Sequence, residues 1–149
     1  MVKNLKNYSF NLNVKKSVLN DIAYRVKNSR IIDDYGNKKW KYGTEGNYLK
    51  DLIDYWSNQY NWKKQEKEIN KFSHYKVKID DIPIHFIYEK GSGKNSKPLI
   101  LTHGWPWTFW DYKKIIEPLT YPEKYGGDVS ESFDVIIPSL PGYGFSTPL

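Results

Sequence analysis

Cysteine is absent from the 149 residues, which removes disulfide staples, cysteine-ligated zinc and thiol nucleophiles. Arginine is scarce too, since Arg25 and Arg30 are the only arginines among 23 basic residues. The fork-shaped cation that grips bases and phosphates is therefore almost missing. Lysines occur instead as dispersed pairs (Lys15-Lys16, Lys38-Lys39, Lys63-Lys64, Lys113-Lys114) interleaved with 17 acidic residues. A net charge of +6 spread in that way describes a solvated surface, and no nucleic-acid partner is expected. No apolar run approaches the roughly 18 residues of a membrane span. Met1 to Asn7 also lack the apolar stretch of a secretory signal, so a cytoplasmic chain with no membrane partner is expected.

Aromatic residues, by contrast, are abundant at 17%, with 6 Trp, 13 Tyr and 6 Phe, enough to build a core and to argue against disorder. No internal repeat interrupts the chain. Phe10, Leu12 and Val14 alternate with polar neighbours, which suits a short strand or extended arm. Ser17 is placed to cap a helix running to about Asn28 on the face of Val18, Ile22 and Val26. A turn-rich stretch follows, carrying Asp33-Asp34, Gly36-Asn37, Gly43 and Gly46. Tyr48, Leu49, Leu52, Ile53 and Trp56 then mark one broad face of a second helix, and a short polar helix runs through Glu66 and Ile69.

The period changes to two after that. Tyr75, Val77 and Ile79 alternate, Asp80-Asp81 turns, and Ile82, Ile84, Phe86 and Tyr88 alternate again, which predicts a β-hairpin. His74 and His85 fall inside it as sheet residues. Leu99 to Thr102 is a continuous apolar run of the kind found in strands buried on both faces, and Val135 to Ile137 forms a second. Between them, Pro106 and a Thr108-x-x-Asp111 pair start a helix that Pro118 bounds. Strand, helix and parallel strand make a βαβ crossover. An α/β fold is therefore expected, with a helical N-terminal region over 1–72 and about four strands of a larger sheet over 73–149.

In such sheets ligands bind beyond the carboxyl ends of the strands. Two segments lie there: His103-Gly104-Trp105-Pro106-Trp107 after the first buried strand, and Ser139 to Ser146, containing Gly142 and Tyr143, after the second. A backbone N–H in a turn of this kind can stabilise developing negative charge. Three decoys fail on spacing. Gly91 to Ser96 lacks the first glycine and the hydroxyl residue of a phosphate loop. Gly127-Asp128 lacks a preceding apolar strand and the glycine a nucleophile elbow needs. Ser146 has Pro148 where a serine elbow requires glycine. No spacing suits a metal.

The paired turns resemble the opening of the α/β-hydrolase fold, and His103-Gly104-Trp105-Pro106 is similar to the His-Gly-Xaa-Pro signature of epoxide hydrolases. Arg25, Arg30, Trp40, Gly43, Gly46, Tyr48-Leu49, Tyr55-Trp56, Tyr60-Asn61-Trp62 and Asn70 are similar to the N-terminal region of microsomal-type members. The resemblance implies that Trp105 supplies an oxyanion-hole amide across a cis Trp105-Pro106 bond, with His103, Gly104, Pro106, Trp107, Gly142 and Tyr143 shaping the turn and pocket. It implies a structural His103, the other reading being a titrating base. It further implies a small-molecule epoxide substrate hydrolysed to a vicinal diol through an Asp ester, without cofactor or metal, and a homodimer is conceivable. By the same resemblance the nucleophile and acid–base pair are expected at positions after Leu149, so turnover by the 149 residues alone is not expected. The competing readings are a non-catalytic binding or assembly chain, and another α/β-hydrolase such as an esterase.

Overall fold

A computed structural model describes residues 4–32 and 34–148. Met1, Val2, Lys3, Asp33 and Leu149 lie outside the described residues, so the readings above that touch them go no further. Contacts group the chain into two units, residues 13–66 and the remainder.

The first unit is helical. Helix α1 spans Lys16–Lys27 and packs against α2, Gly46–Asn58. The expected Ser17 cap is not used, because the helix starts two residues earlier, with Lys15 at the N-cap and no side-chain cap bond. Only part of the expected α2 face is covered: Leu49 and Ile53 are half-buried, while Tyr48, Leu52 and Trp56 are exposed. The turn-rich loop is tied by Asn37, whose amide nitrogen donates to Asp34 Oδ2 and to the carbonyls of Gly43 and Thr44. Its oxygen accepts from Tyr42 N, so one buried side chain satisfies several backbone groups. Helix α3, Trp62–Ile69, carries Glu66, which accepts from Lys63 Nζ, Val14 N and Trp62 Nε1. The Lys63 ammonium, then the Val14 amide, hold its carboxyl below the ordinary range.

The second unit holds a four-stranded sheet in the order β1-β2-β4-β3. The hairpin forms as expected, from β1 (His74–Ile79) and β2 (Ile82–Glu89). Its two-residue turn puts Asp80 and Asp81 both at positive φ, the conformation that matches the strand twist. Strand β2 pairs antiparallel with β4 (Phe133–Pro138), and β4 pairs parallel with β3 (Lys97–Ile100). The N-terminal arm joins the hairpin through a Ser9–Tyr75 bridge and a bond from Phe10 N to His74 O.

Two expectations need correction here. The Leu99 run is not buried on both faces: β3 is an edge strand, Leu99 is half-buried and Ile100 is 62% exposed. Burial depends on what packs over each face of the strand, and among the described residues the face carrying Ile100 is left open. The helix after Pro106 is also different. Thr108 caps a 3-10 turn over Phe109–Lys114 by accepting from Trp110 N, and the α-helix, α4, spans Ile116–Thr120. Pro118 lies inside it, in the first turn, where a missing N–H costs no helical bond.

The core of this unit gathers Ile87, Ile116, Val135, Ile137 and Phe109. It also buries polar groups, namely His74, His85, Ser139 and Ser146.

Candidate active-site turns

Strand β3 ends at Ile100, and Leu101 N still donates to Ile136 O. The chain then leaves the sheet. Thr102 O accepts from the Tyr112 hydroxyl at 2.6 Å, which braces the start of the turn. His103 comes next and is buried. Its Nε2 accepts from Leu140 N at 3.1 Å, and its Nδ1 lies 3.1 Å from Gly104 O, to which it donates. Those two partners assign one neutral tautomer, with the Nε2 lone pair occupied by a backbone amide. Both ring nitrogens of His103 are thus engaged by backbone partners, one from each turn.

The rest of the turn is open. Trp105 is 79% exposed and Trp107 62% exposed. Trp107 N donates to Gly104 O, and the Trp105-Pro106 peptide is cis. The Trp105 amide has no partner among the described residues. Beside Gly104 there is free space: a Cβ placed there would meet nothing within 4 Å.

The second turn, after β4, is closed by its own backbone. Tyr143 N donates to Leu140 O, Gly142 N to Ser146 O, and Ser146 N to Tyr143 O. Gly142 sits at φ +82, a left-handed position that glycine holds without strain. The structure therefore brings His103 together with this turn through Leu140 and through the Tyr143 ring, 5.6 Å away edge-on. Trp107 shares no hydrogen bond or ring contact with the second turn among the described residues. Sequence reasoning missed Tyr112 and Leu140. The Tyr112 hydroxyl reaches a carbonyl ten residues away, and a backbone amide such as that of Leu140 leaves no signal in residue types.

The decoys resolve as turns and caps. In the Gly91 loop, Gly91 N donates to Asp134 Oδ1 and Gly93 N to the Ser132 hydroxyl, so these amides are spent within the protein. Asp128 caps the turn Val129–Glu131, accepting from Ser130 Oγ and Ser130 N, which hold its carboxyl below the ordinary range. Ser146 Oγ is fully buried, donates to Ser139 O and accepts from His85 N. Neither Asp128 nor Ser146 is poised as a nucleophile. Among the described residues no cluster of His, Asp or Glu could hold a metal ion, and no helix is long and apolar enough to cross a membrane. In the helical unit, a cleft of about 460 Å³ is lined by Arg30, Ile31, Ile32, Asp34, Leu49 and Ile53 among others. No nucleophile–base pair lines it.

A mixed sheet whose parallel strands end in two turns of this kind is the opening part of an α/β-hydrolase. Solved structures agree. The epoxide hydrolase of Aspergillus niger superposes with a TM-score of 0.82 at 24% identity, over 95% of this chain and 37% of that one. The juvenile hormone epoxide hydrolase of the silkworm Bombyx mori gives 0.81 at 28% identity, over 93% and 33%. Residues 7–112 match the family described as epoxide hydrolase N terminus, and the chain belongs to that family. It is 40% identical over 141 residues to epoxide hydrolase 1 of Sus scrofa, covering 92% of this chain and 31% of the relative. It is 36% identical over 140 residues to juvenile hormone epoxide hydrolase 2 of Ctenocephalides felis, covering 92% and 30%. The chain thus spans about a third of the length of these relatives.

Proposed function

We propose that these residues supply the anion-receiving turn of an enzyme that adds water to epoxides. One observation carries the reading. The Trp105 amide stands without a partner on an exposed turn at the carboxyl end of a parallel strand, while its neighbour His103 is fixed in one tautomer. A free N–H at a rigid position is what a developing oxyanion requires.

In the mechanism this implies, a carboxylate attacks an epoxide carbon. The new C–O bond forms as the ring C–O bond breaks, and the ring oxygen takes a proton. Water then gives one proton to a base and adds to the carbonyl carbon of the resulting ester, and the oxygen that becomes negative accepts from the Trp105 amide. Collapse releases the diol and restores the carboxylate. No described Asp or Glu is placed for the attack, so the carboxylate and its acid–base partners are read as belonging to polypeptide outside these 149 residues. The 149 residues alone are then inactive.

The test joins residues 1–149 to the non-matching part of the pig relative and measures diol formation from a simple aryl epoxide. Turnover is expected from the joined protein and not from the 149 residues. Exchanging the residue-105 amide for an ester, with the tryptophan side chain kept, should lower turnover about 10²–10³-fold. Unchanged turnover in the ester variant refutes the assignment.

A further inference from the structure

A chain of buried polar groups crosses the sheet unit without being used in that mechanism. His74 Nε2 lies 2.8 Å from Ile69 O, at the end of α3. A carbonyl only accepts, so His74 carries its proton on Nε2. In the neutral ring, Nδ1 is then an acceptor, and its partner at 2.8 Å is His85 Nε2, which must donate. His85 Nδ1 is left as an acceptor, and Ser139 Oγ donates to it at 2.8 Å. The order of donors is therefore fixed from Ser139 through His85 and His74 to Ile69. Four aromatic contacts wall it in: Phe10, Phe109 and Phe145 each meet the His85 ring at 4.9–5.5 Å, and Phe109 also meets His74. No buried side-chain nitrogen or oxygen in the described residues lacks a partner.

The far end of this relay is the second turn. Ser139 is followed by Leu140, whose amide holds His103. Ser139 O accepts from Ser146 Oγ, and Ser146 Oγ accepts from His85 N, so side chain and backbone of one residue grip both ends of the turn. We infer that His85, oriented by His74, is a positioning residue that fixes the Ser139–Ser146 turn and, through Leu140 and His103, the turn bearing the Trp105 amide. The inference rests on the reading of that amide as the anion-receiving group. Charged neighbours facing the pair are Lys76, whose ammonium is bonded to Thr147 O, and Glu89.

The test is made on the 149-residue chain with ¹⁵N-labelled histidine, by long-range ¹H–¹⁵N spectra at pH 7.5. Single Nε2–H tautomers are expected for His74 and His85, and a single Nδ1–H tautomer for His103. An Nδ1–H or mixed His85 overturns the relay without depending on any variant. Ser139→Ala removes the donor to His85 and should turn His103 into a tautomer mixture and speed exchange of the Leu140 amide at least tenfold. His85→Asn places an amide oxygen near the former Nδ1 and should preserve the His103 signature. His85→Gln places its amide nitrogen near the former Nε2 and should lose that signature. Equal behaviour of Asn and Gln, or an unaltered His103 in Ser139→Ala, overturns the inference. These readouts lie on His103 and Leu140, so the relay can fail while the ester exchange at residue 105 still succeeds, and the reverse.

Discussion

Lowering the pH should destabilise this chain before its carboxylates titrate. Burial, then the neighbouring His74 and the Lys76 ammonium, push His85 down from 6.5 to about 3. Burial also lowers His74, opposed by the Ile69 carbonyl and Glu89. In the unfolded chain both rings are hydrated and titrate near the ordinary value. Below that value the unfolded state binds protons that the native state refuses, so stability is complete above pH 6.5 and is lost as pH falls toward 3. At pH 5, His85 alone costs about 2 kcal/mol relative to pH 7.5, and His74 adds in the same direction. Against the usual stability of about 5–15 kcal/mol that is a large fraction. The depressed carboxyls of Glu66, Glu117 and Asp128 act later, because their contribution is lost only as pH falls below the carboxylate range. The assay is urea unfolding followed by tryptophan fluorescence at pH 7.5, 6 and 5. The midpoint should drop across this window, and His85→Asn should reduce the slope by about one proton, or about 1.4 kcal/mol per pH unit. A midpoint that is flat from pH 7.5 to 5, or a variant with the parent slope, refutes the account.

Three further substitutions probe separate parts of the structure. Gly144 sits at φ +50 with Ser139 Oγ only 2.7 Å from where a Cβ would lie. Gly144→Ala should therefore cost about 2 kcal/mol or more by urea unfolding and disturb the His85 ring signals. Asn37→Ala strips the Gly43 and Thr44 carbonyls and the Tyr42 amide of their side-chain partner. A loss of about 2 kcal/mol is expected, with faster proteolysis within 34–46. Ile100→Lys places a charge on the open edge of β3 and should reduce self-association, measured by light scattering at raised concentration. No change in scattering would show that this edge does not drive association.

Elements whose pattern is local were legible in the residues. Helices α1 and α2 follow a 3.6-residue spacing, the hairpin follows a two-residue spacing, and Asp80-Asp81 is turn chemistry written into the chain. What failed depended on partners distant in sequence. The Leu99 run carries the composition of a strand covered on both faces, but cover comes from elements distant in sequence, and among the described residues Ile100 stays exposed. Pro118 punctuates a helix when read locally, yet Ile115, at φ −109, breaks the regular helical path first and lets the proline fall in a new first turn. The two site turns were visible as glycine- and proline-rich strand ends. The bond that joins them, from a backbone amide to His103, was not.

The histidine relay marks a middle case, because the hairpin register already brings the two rings together. Once Asp80 and Asp81 are taken as the two central residues of a tight hairpin, the register is forced, and Ile79 must face Ile82. Counting outward places Ile87 opposite His74 and Lys76 opposite His85. The two histidines are then diagonal neighbours on one face of the sheet, close enough for their rings to meet. The opposite face carries the more apolar set, with Tyr75 stacked on Phe86, yet Tyr75, Phe86 and Tyr88 are only half-buried. Burial is deepest on the face that holds His74, His85 and Ile87. Hydrophobicity alone would therefore have turned the hairpin the wrong way round. A buried histidine must find a partner for each ring nitrogen, and the histidine face is the one on which Ile69 O, the two rings and Ser139 fall in line. In this hairpin the need to satisfy polar atoms identifies the inner face better than the count of apolar side chains.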